Sequence, residues 1–274
     1  MTHASASLPY LSHIDAWLRG PDSWSLAAEY PRVFGAASKA QSLCLVSDAG
    51  LLAHAAVLDL VHRDAGAATR IRCVGSVVVD PGQRGMGLGR RLLEAVVDDF
   101  EASDCEVLLL WSQRRRFYAH FGFETWGSEL WVRPDPSLPQ QRIRPMREAD
   151  LAHVARIHDC KPSRVDREAI DFAAALRIPR LDAWVLDADG AVAAYALVGK
   201  GMDFPGVVHD SGGENEALVE LLRALPMHFA ILPYHRLDEA TRIGAASLHT
   251  IGLARCKHAR APRRGWSIEG LDSI

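Results

Sequence analysis

Residues 77–90 read VVVDPGQRGMGLGR, a β-branched run that stops at Asp80-Pro81 and passes into a glycine-rich loop. Valine packs well on a pleated surface, so 77–79 end a strand that begins near Ile71. Downstream, Leu88, Leu92, Leu93, Val96, Val97 and Phe100 fall on one face, with Arg91, Glu94, Asp98 and Asp99 on the other. This is helical periodicity over Leu88–Phe100. Between strand and helix, Gly85, Gly87 and Gly89 let the backbone turn and let several N–H groups face one point. The helix adds its unpaired N–H groups and positive dipole end, which makes an anion site. Arg84 and Arg90 supply charge at its edge, and Met86 and Leu88 complete the loop. The dinucleotide fingerprint fails because Arg90 stands where its third glycine belongs, and no P-loop lysine pattern is present. A ligand-free strand-to-helix turn is the competing reading of the loop alone.

Working outward, Ser42–Ser47 and Leu51–Leu60 flank Asp48-Ala49-Gly50, a hairpin signal. Val107–Trp111 is a short buried strand, Phe117–Phe121 a short helix ending at Gly122, and Glu124–Val132 one further strand. Three prolines in RPDPSLPQQR, residues 133–142, mark an extended linker. Beyond it, Leu151–His158 is helical in pattern. Ala183–Leu186 and Ala191–Val198 form a second hairpin, Gly206–Asp210 a strand and Glu214–Leu225 an amphipathic helix. Hairpin, strand, loop and helix thus occur twice, which implies a tandem α/β arrangement with 1–132 and 143–274 as its units.

The bulk properties narrow the function. The chain has 274 residues, 49% hydrophobic, with net charge −3, so global charge makes no case for nucleic acid or an anionic membrane. The five cysteines form no C-x-x-C pair, which argues against a disulfide framework or a zinc site and for a reducing cytoplasm. No secretory leader or membrane span is expected.

Two motifs in order carry a family resemblance. Arg84, Gly87 and Gly89, after Val79-Asp80-Pro81, resemble the R/Q-x-x-G-x-G/A pyrophosphate motif of the Gcn5-related N-acetyltransferase (GNAT) superfamily. Residues 117–123, FYAHFGF, resemble its F-Y-x-x-x-G-F segment. Within the superfamily the chain is similar to the enhanced-intracellular-survival branch, which also joins tandem units. The resemblance implies two GNAT-like units, each a mixed, mostly antiparallel sheet flanked by helices, the second degenerate. It implies that Val77, Val78 and Val79 pair with the pantetheine arm of acetyl-CoA, that residues 84–90 hold the pyrophosphate, and that Tyr118 is the general acid. The cosubstrate would be acetyl-CoA, with no metal, and the acceptor an amine-bearing small molecule or protein. A non-catalytic acyl-CoA sensor or an interaction scaffold is the alternative. A tandem pair can mimic the dimer of single-unit relatives, so a monomer is expected.

Other residues carry weaker signals. His54, His120 and Glu124 are candidate bases, each more simply read as structural or solvated. Ser112 is a candidate contact of the CoA arm, and Arg114-Arg115-Arg116 reads as a solvated turn. Cys105 reads as core. In the second unit the matching loop, SGGENE, has no arginine and carries Glu214 and Glu216, which suit a helix dipole and oppose a pyrophosphate. That unit is expected not to bind CoA but to complete or support the acceptor cleft, through Asp203, His209 and Glu214. The tail GWSIEGLDSI is apolar enough to be tied down. In the similar enhanced-survival proteins a C-terminal carboxylate reaches the active site, and the position of Ile274 is left open by the sequence.

Overall fold

The computed structural model describes residues 2–5, 9–20, 24–36, 38–135, 143–188, 190–258, 266 and 268–274. Its strands are β1 (Thr2–Ser5), β2 (Gln41–Ser47), β3 (Gly50–Asp64), β4 (Ala67–Val79), β5 (Val107–Leu110), β6 (Glu124–Trp126), β7 (Glu129–Pro134), β8 (Arg144–Pro145), β9 (Ser163–Val165), β10 (Asp182–Ala188), β11 (Ala191–Lys200), β12 (Asp203–Gly213), β13 (Phe229–Pro233), β14 (Gly244–His249) and β15 (Gly252–Cys256). Its helices are α1 (Leu11–Leu18), α2 (Leu26–Glu29), α3 (Pro31–Phe34), α4 (Leu88–Ala102), α5 (Arg115–Ala119), α6 (Leu151–Asp159), α7 (Ala169–Ala175), α8 (Asn215–Ala224) and α9 (Leu237–Ile243).

They form two mixed, mostly antiparallel sheets flanked by helices. The first runs β1-β2-β3-β4-β5-β15-β6, with β9 added against β3; the second runs β14-β7-β13-β12-β11-β10-β8. Among the described residues only β4 with β5 and β12 with β13 pair in parallel, one such pair in each sheet. The repeated order seen in the sequence is therefore a repeated sheet.

The halves exchange strands. β15, from near the end of the chain, lies between β5 and β6, and β7, which runs into the proline-rich segment, lies between β14 and β13. The continuous strand expected over Glu124–Val132 is thus two strands in two sheets. The break is at Gly127, whose φ of 72° is left-handed and whose missing Cβ leaves room for Ile251. The break at 133–142 divides the sequence but not the sheets: Arg133 and Pro134 complete β7, and residues 136–142 lie outside the described residues.

The first sheet has a core on each face. On one, Leu92, Leu93, Val96 and Phe100 of α4 pack on Leu43, Val57, Val74 and Leu108. On the other, Ile14, Leu26 and Phe34 of the N-terminal helices pack on Leu58, Ile71 and Cys73, with Trp266, Ile268 and Ile274 joining them. The N-terminal helices also reach the second half. Glu29, fully buried, accepts from Arg19 Nε at 2.7 Å and from the Met202 amide at 2.8 Å, and Arg19 Nη2 donates to Asp203 at 2.7 Å.

Candidate acyl-transfer site

β4 and β5 are paired from Ile71–Val107 to Val74–Leu110 and no further. On its other side β4 stays on β3, with His54 opposite Val78 and Ala53 opposite Val79. Among the described residues no strand pairs with the edge of β4 facing β5 over Val77–Val79, which leaves a slot into which an extended amide-bearing chain can be added as a strand. A bulge starts this divergence: the β3–β4 register shifts between His54 and Ala56, and Ser76 takes a left-handed φ of 49°. His54 holds the bulge. Its Nδ1 lies 3.0 Å from the Ser76 carbonyl oxygen and its Nε2 3.0 Å from Ser42 Oγ, so Nδ1–H donates to Ser76 and Nε2 accepts from the serine. Burial pushes the imidazole down to about 4. With both nitrogens engaged and little basicity, His54 is a structural residue rather than a base.

Past Val79, the Asp80 side chain accepts from the Gly82 amide at 2.9 Å and closes a short turn over Pro81–Gln83. Gly85 and Gly87 follow with φ of 85° and 76°, and Gly87 is the N-cap of α4. Nothing lies within 4 Å of where a Cβ would stand on either, so their conformation and open face, not crowding, require glycine. Gly89 brings the first turn of α4 onto Val79 and Phe117. Arg84 and Met86 are exposed on this loop, whereas Arg90 ion-pairs with Glu94 one turn along α4 at 3.0 Å.

α5 packs on the same corner. Tyr118 is buried against Phe117 and Phe123, with ring centroids 5.1 and 5.7 Å away. Burial raises its pKa, while a hydrogen bond with the Ser112 side chain and the charge of Arg114 oppose the rise. Ser112 thus meets Tyr118 at the end of β5. Arg114, Arg115 and Arg116 are exposed, as are His120 and Glu124, and Cys105 is buried with its thiol pKa raised by burial.

Sequence reasoning missed what lies against this part of β4 and beyond β5. The main chain of Ile274 lies against Gly75, immediately before the bulge. A cavity of about 770 Å³ opens between the end of β5, at Trp111, Ser112 and Gln113, and His249–Gly252 leading into β15. Arg115 lines it, and no carboxylate does among the described residues. The cluster expected from Asp203, His209 and Glu214 is not assembled. Asp203 is bound to Arg19 and Tyr30, His209 is buried with Nε2 2.9 Å from the Gly199 carbonyl, and Glu214 faces a separate cavity beside α6.

The second sheet repeats the splay without the loop. β12 and β13 pair only at Val207–Phe229 and Val208–Ala230. Glu214 alone joins β12 to α8, where the first sheet has eight residues between β4 and α4. Arg236 fills this end of the sheet, donating to the Gly213 carbonyl at 3.1 Å and to Asn215 Oδ1 at 2.9 Å.

A splayed parallel pair, a bulged strand and a glycine loop opening a helix meet at one corner of the first sheet. Residues 41–125 match the acetyltransferase (GNAT) domain family. Over 93% of its length the chain superposes on 73% of a probable N-acyltransferase from Enterococcus faecalis, at TM-score 0.68 and 12% identity. It covers 64% of Eis1 from Mycobacterium abscessus with 78% of its own length, at TM-score 0.52 and 16% identity. With 93% of its own length it covers 82% of the N-myristoyltransferase of Saccharomyces cerevisiae, solved with bound myristoyl-CoA, at TM-score 0.56 and 10% identity. At these identities the likeness is one of fold. No curated protein sequence matches the chain. Among the described residues no helix is long and apolar enough to cross a membrane.

Proposed function

We propose that the protein is an acetyl-CoA-dependent N-acetyltransferase with one working site, in the first half. The observation that supports this reading is the free edge of β4 at Val77–Val79 running directly into the left-handed glycines at the start of α4. The strand edge suits the two amides of a pantetheine arm, and the N–H groups of residues 84–90, with Arg84 at hand, suit a pyrophosphate. The second half lacks the loop, and Arg236 occupies the end of its splay, which supports a single CoA site per chain.

In the reaction an uncharged amine attacks the thioester carbon and forms the C–N bond. Charge moves to the carbonyl oxygen, which a β4 amide beside the bulge stabilises. The C–S bond then breaks, Tyr118 gives its proton to the leaving thiolate, and the proton shed by the acylated nitrogen returns through water to the phenolate. Burial keeps the phenol in its proton-bearing form. The main-chain oxygen of Ile274 offers a hydrogen-bond acceptor that orients the incoming amine. The cavity beside Trp111 and Arg115 receives the rest of the acceptor, and its lining favours one that brings no second positive charge.

The test is thiol release from acetyl-CoA against a panel of amines that differ in charge. Acceptor-dependent release supports the reading. Acetyl-CoA binding without release with any amine would replace it by the sensor, and absence of any CoA-induced thermal shift by the scaffold.

A further inference from the structure

A buried charge cluster lies outside the candidate acyl-transfer site, in the second half. Lys161 and Arg167 flank β9, Asp210 lies on β12, and Glu269 and Asp272 belong to the last described segment, 268–274. The Arg167 side chain is fully buried and touches three carboxylates: Asp210 at 2.6 Å, Asp272 at 2.7 Å and Glu269 at 3.4 Å. Lys161 donates to Glu269 at 2.6 Å and to the Tyr195 hydroxyl at 2.7 Å. Arg32, from α3 of the first half, ion-pairs with Asp272 and with Asp171. Lys200, buried at the end of β11, donates to the carbonyls of Gly270 at 2.7 Å and Ser273 at 2.9 Å.

His158, Asp210 and Glu269 come within 4.8 Å of one another, as metal ligands would. Lys161 and Arg167 already stand on those carboxylates, so the cluster neutralises itself with side chains. Lys161, Arg167 and Arg32 pair with Asp210, Glu269 and Asp272, and Arg32 reaches Asp171 as well. What it holds is a segment of chain. Glu269 sits at Asp210 and Gly270 against His209, on the strand that corresponds to β4. At the other end of the segment, Ile274 sits against Gly75 of β4 itself. The segment therefore runs from the centre of one sheet to the centre of the other.

We infer that the second half works as a clamp: Lys161, Arg167 and Lys200 are positioning residues that fix 269–274 so that Ile274 stands at the β4 bulge. This rests on the proposed acyl transfer for its catalytic consequence, but not for the clamp itself. The otherwise inactive centre of the second sheet thereby acquires a task, since the same strand that fails to take CoA anchors the wall of the working site. Burying charges is worthwhile only where they are paired, and these pairs specify one path for the segment.

Two variants test this, Lys200→Met and Asp272→Asn, each checked for native circular dichroism. Amide hydrogen exchange over 268–274 is expected to rise roughly tenfold or more in both, with exchange in α4 unchanged. Acetyl-CoA affinity is expected to stay at the wild-type value, and turnover to fall by about 10²-fold, as misplacing a group at a reacting centre does. Combining either with Gly75→Ala should cost little beyond the worse single variant, because both act through Ile274. Unchanged exchange over 268–274 would overturn the clamp whether or not the protein acetylates amines. Faster exchange with unchanged turnover, or losses that simply add, would overturn its link to the site. A wild-type protein that releases no thiol with any amine defeats the proposed function and leaves the exchange result to decide the clamp.

Discussion

Gly75 and Ile274 occupy space that only a glycine permits. A Cβ built on Gly75 would overlap the main-chain carbonyl of Ile274 and stand 2.8 Å from its Cγ1. These two residues are far apart in sequence, and their contact places the end of the described chain at the strand bulge where thioester and amine would meet.

Gly75→Ala should therefore act at a distance from CoA binding. The strand itself tolerates alanine, so the strain falls on the 268–274 segment, which must shift. We expect turnover to drop by about 10²-fold with acetyl-CoA affinity unchanged. Steady-state kinetics beside a CoA titration check this, and a variant with wild-type turnover would remove Ile274 from the site.

Tyr118→Phe separates chemistry from binding. The ring keeps its edge contacts with Phe117 and Phe123, and only the hydroxyl that meets Ser112 is lost. A positioned acid contributes roughly 10²- to 10⁴-fold, so turnover should fall within that range at constant acetyl-CoA affinity. Unchanged turnover would assign proton delivery to another group.

The part of the candidate site that sequence pointed to is the part made by contiguous residues. Val77–Val79, the loop 84–90 and Tyr118 each sit in a local motif whose backbone geometry is set by its own glycines and prolines, and the helix Leu88–Phe100 was legible from its apolar stripe. The exchange of β7 and β15 was not, because residues 253–256 pair with 107–110 across an intervening stretch that itself folds into the second sheet. A single left-handed glycine, Gly127, turns what reads as one strand into two. His54 shows a different limit: a histidine on a strand suggests a base until its burial and its two partners are known. The tail was legible only as apolar. Its destination depends on Lys161, Arg167 and Lys200, and nothing in their local sequence sets these apart from other basic residues.

Gly87→Glu should abolish acetyl-CoA binding. Gly87 has left-handed φ, so any side chain there is strained, and the glutamate would place negative charge at the N-terminus of α4 where the pyrophosphate is proposed to lie. Isothermal titration should show no binding under conditions where wild type saturates, with the melting temperature of the unliganded protein lowered only modestly. Retained affinity would move the pyrophosphate elsewhere.

Acid should destabilise the fold in a defined window. His54, His158 and His209 are buried, and burial pushes them down to about 4, 3 and 4. In the unfolded chain each titrates near its ordinary value of about 6.5, so below that pH the unfolded state binds protons that the fold refuses. Stability is intact above about 6.5 and is lost progressively as pH falls toward 4. A tenfold difference in proton affinity between the two states corresponds to about 1.4 kcal/mol, so His54 alone can account for roughly 3 kcal/mol as an upper value. Carboxylates held below their ordinary range, such as Asp150 at about 2, lose their contribution only at lower pH and do not mimic this window. Glu269, pushed up to about 7 by burial and by Asp210, takes up a proton in the fold over the same window and offsets part of this loss. Urea midpoints measured from pH 7 to pH 4 should still fall, and His54→Asn, which takes up no proton in this range, should flatten the slope. A flat profile across this range would mean that the three imidazoles are protonated in the native state, and that the bulge at Ser76 is not held by a neutral His54.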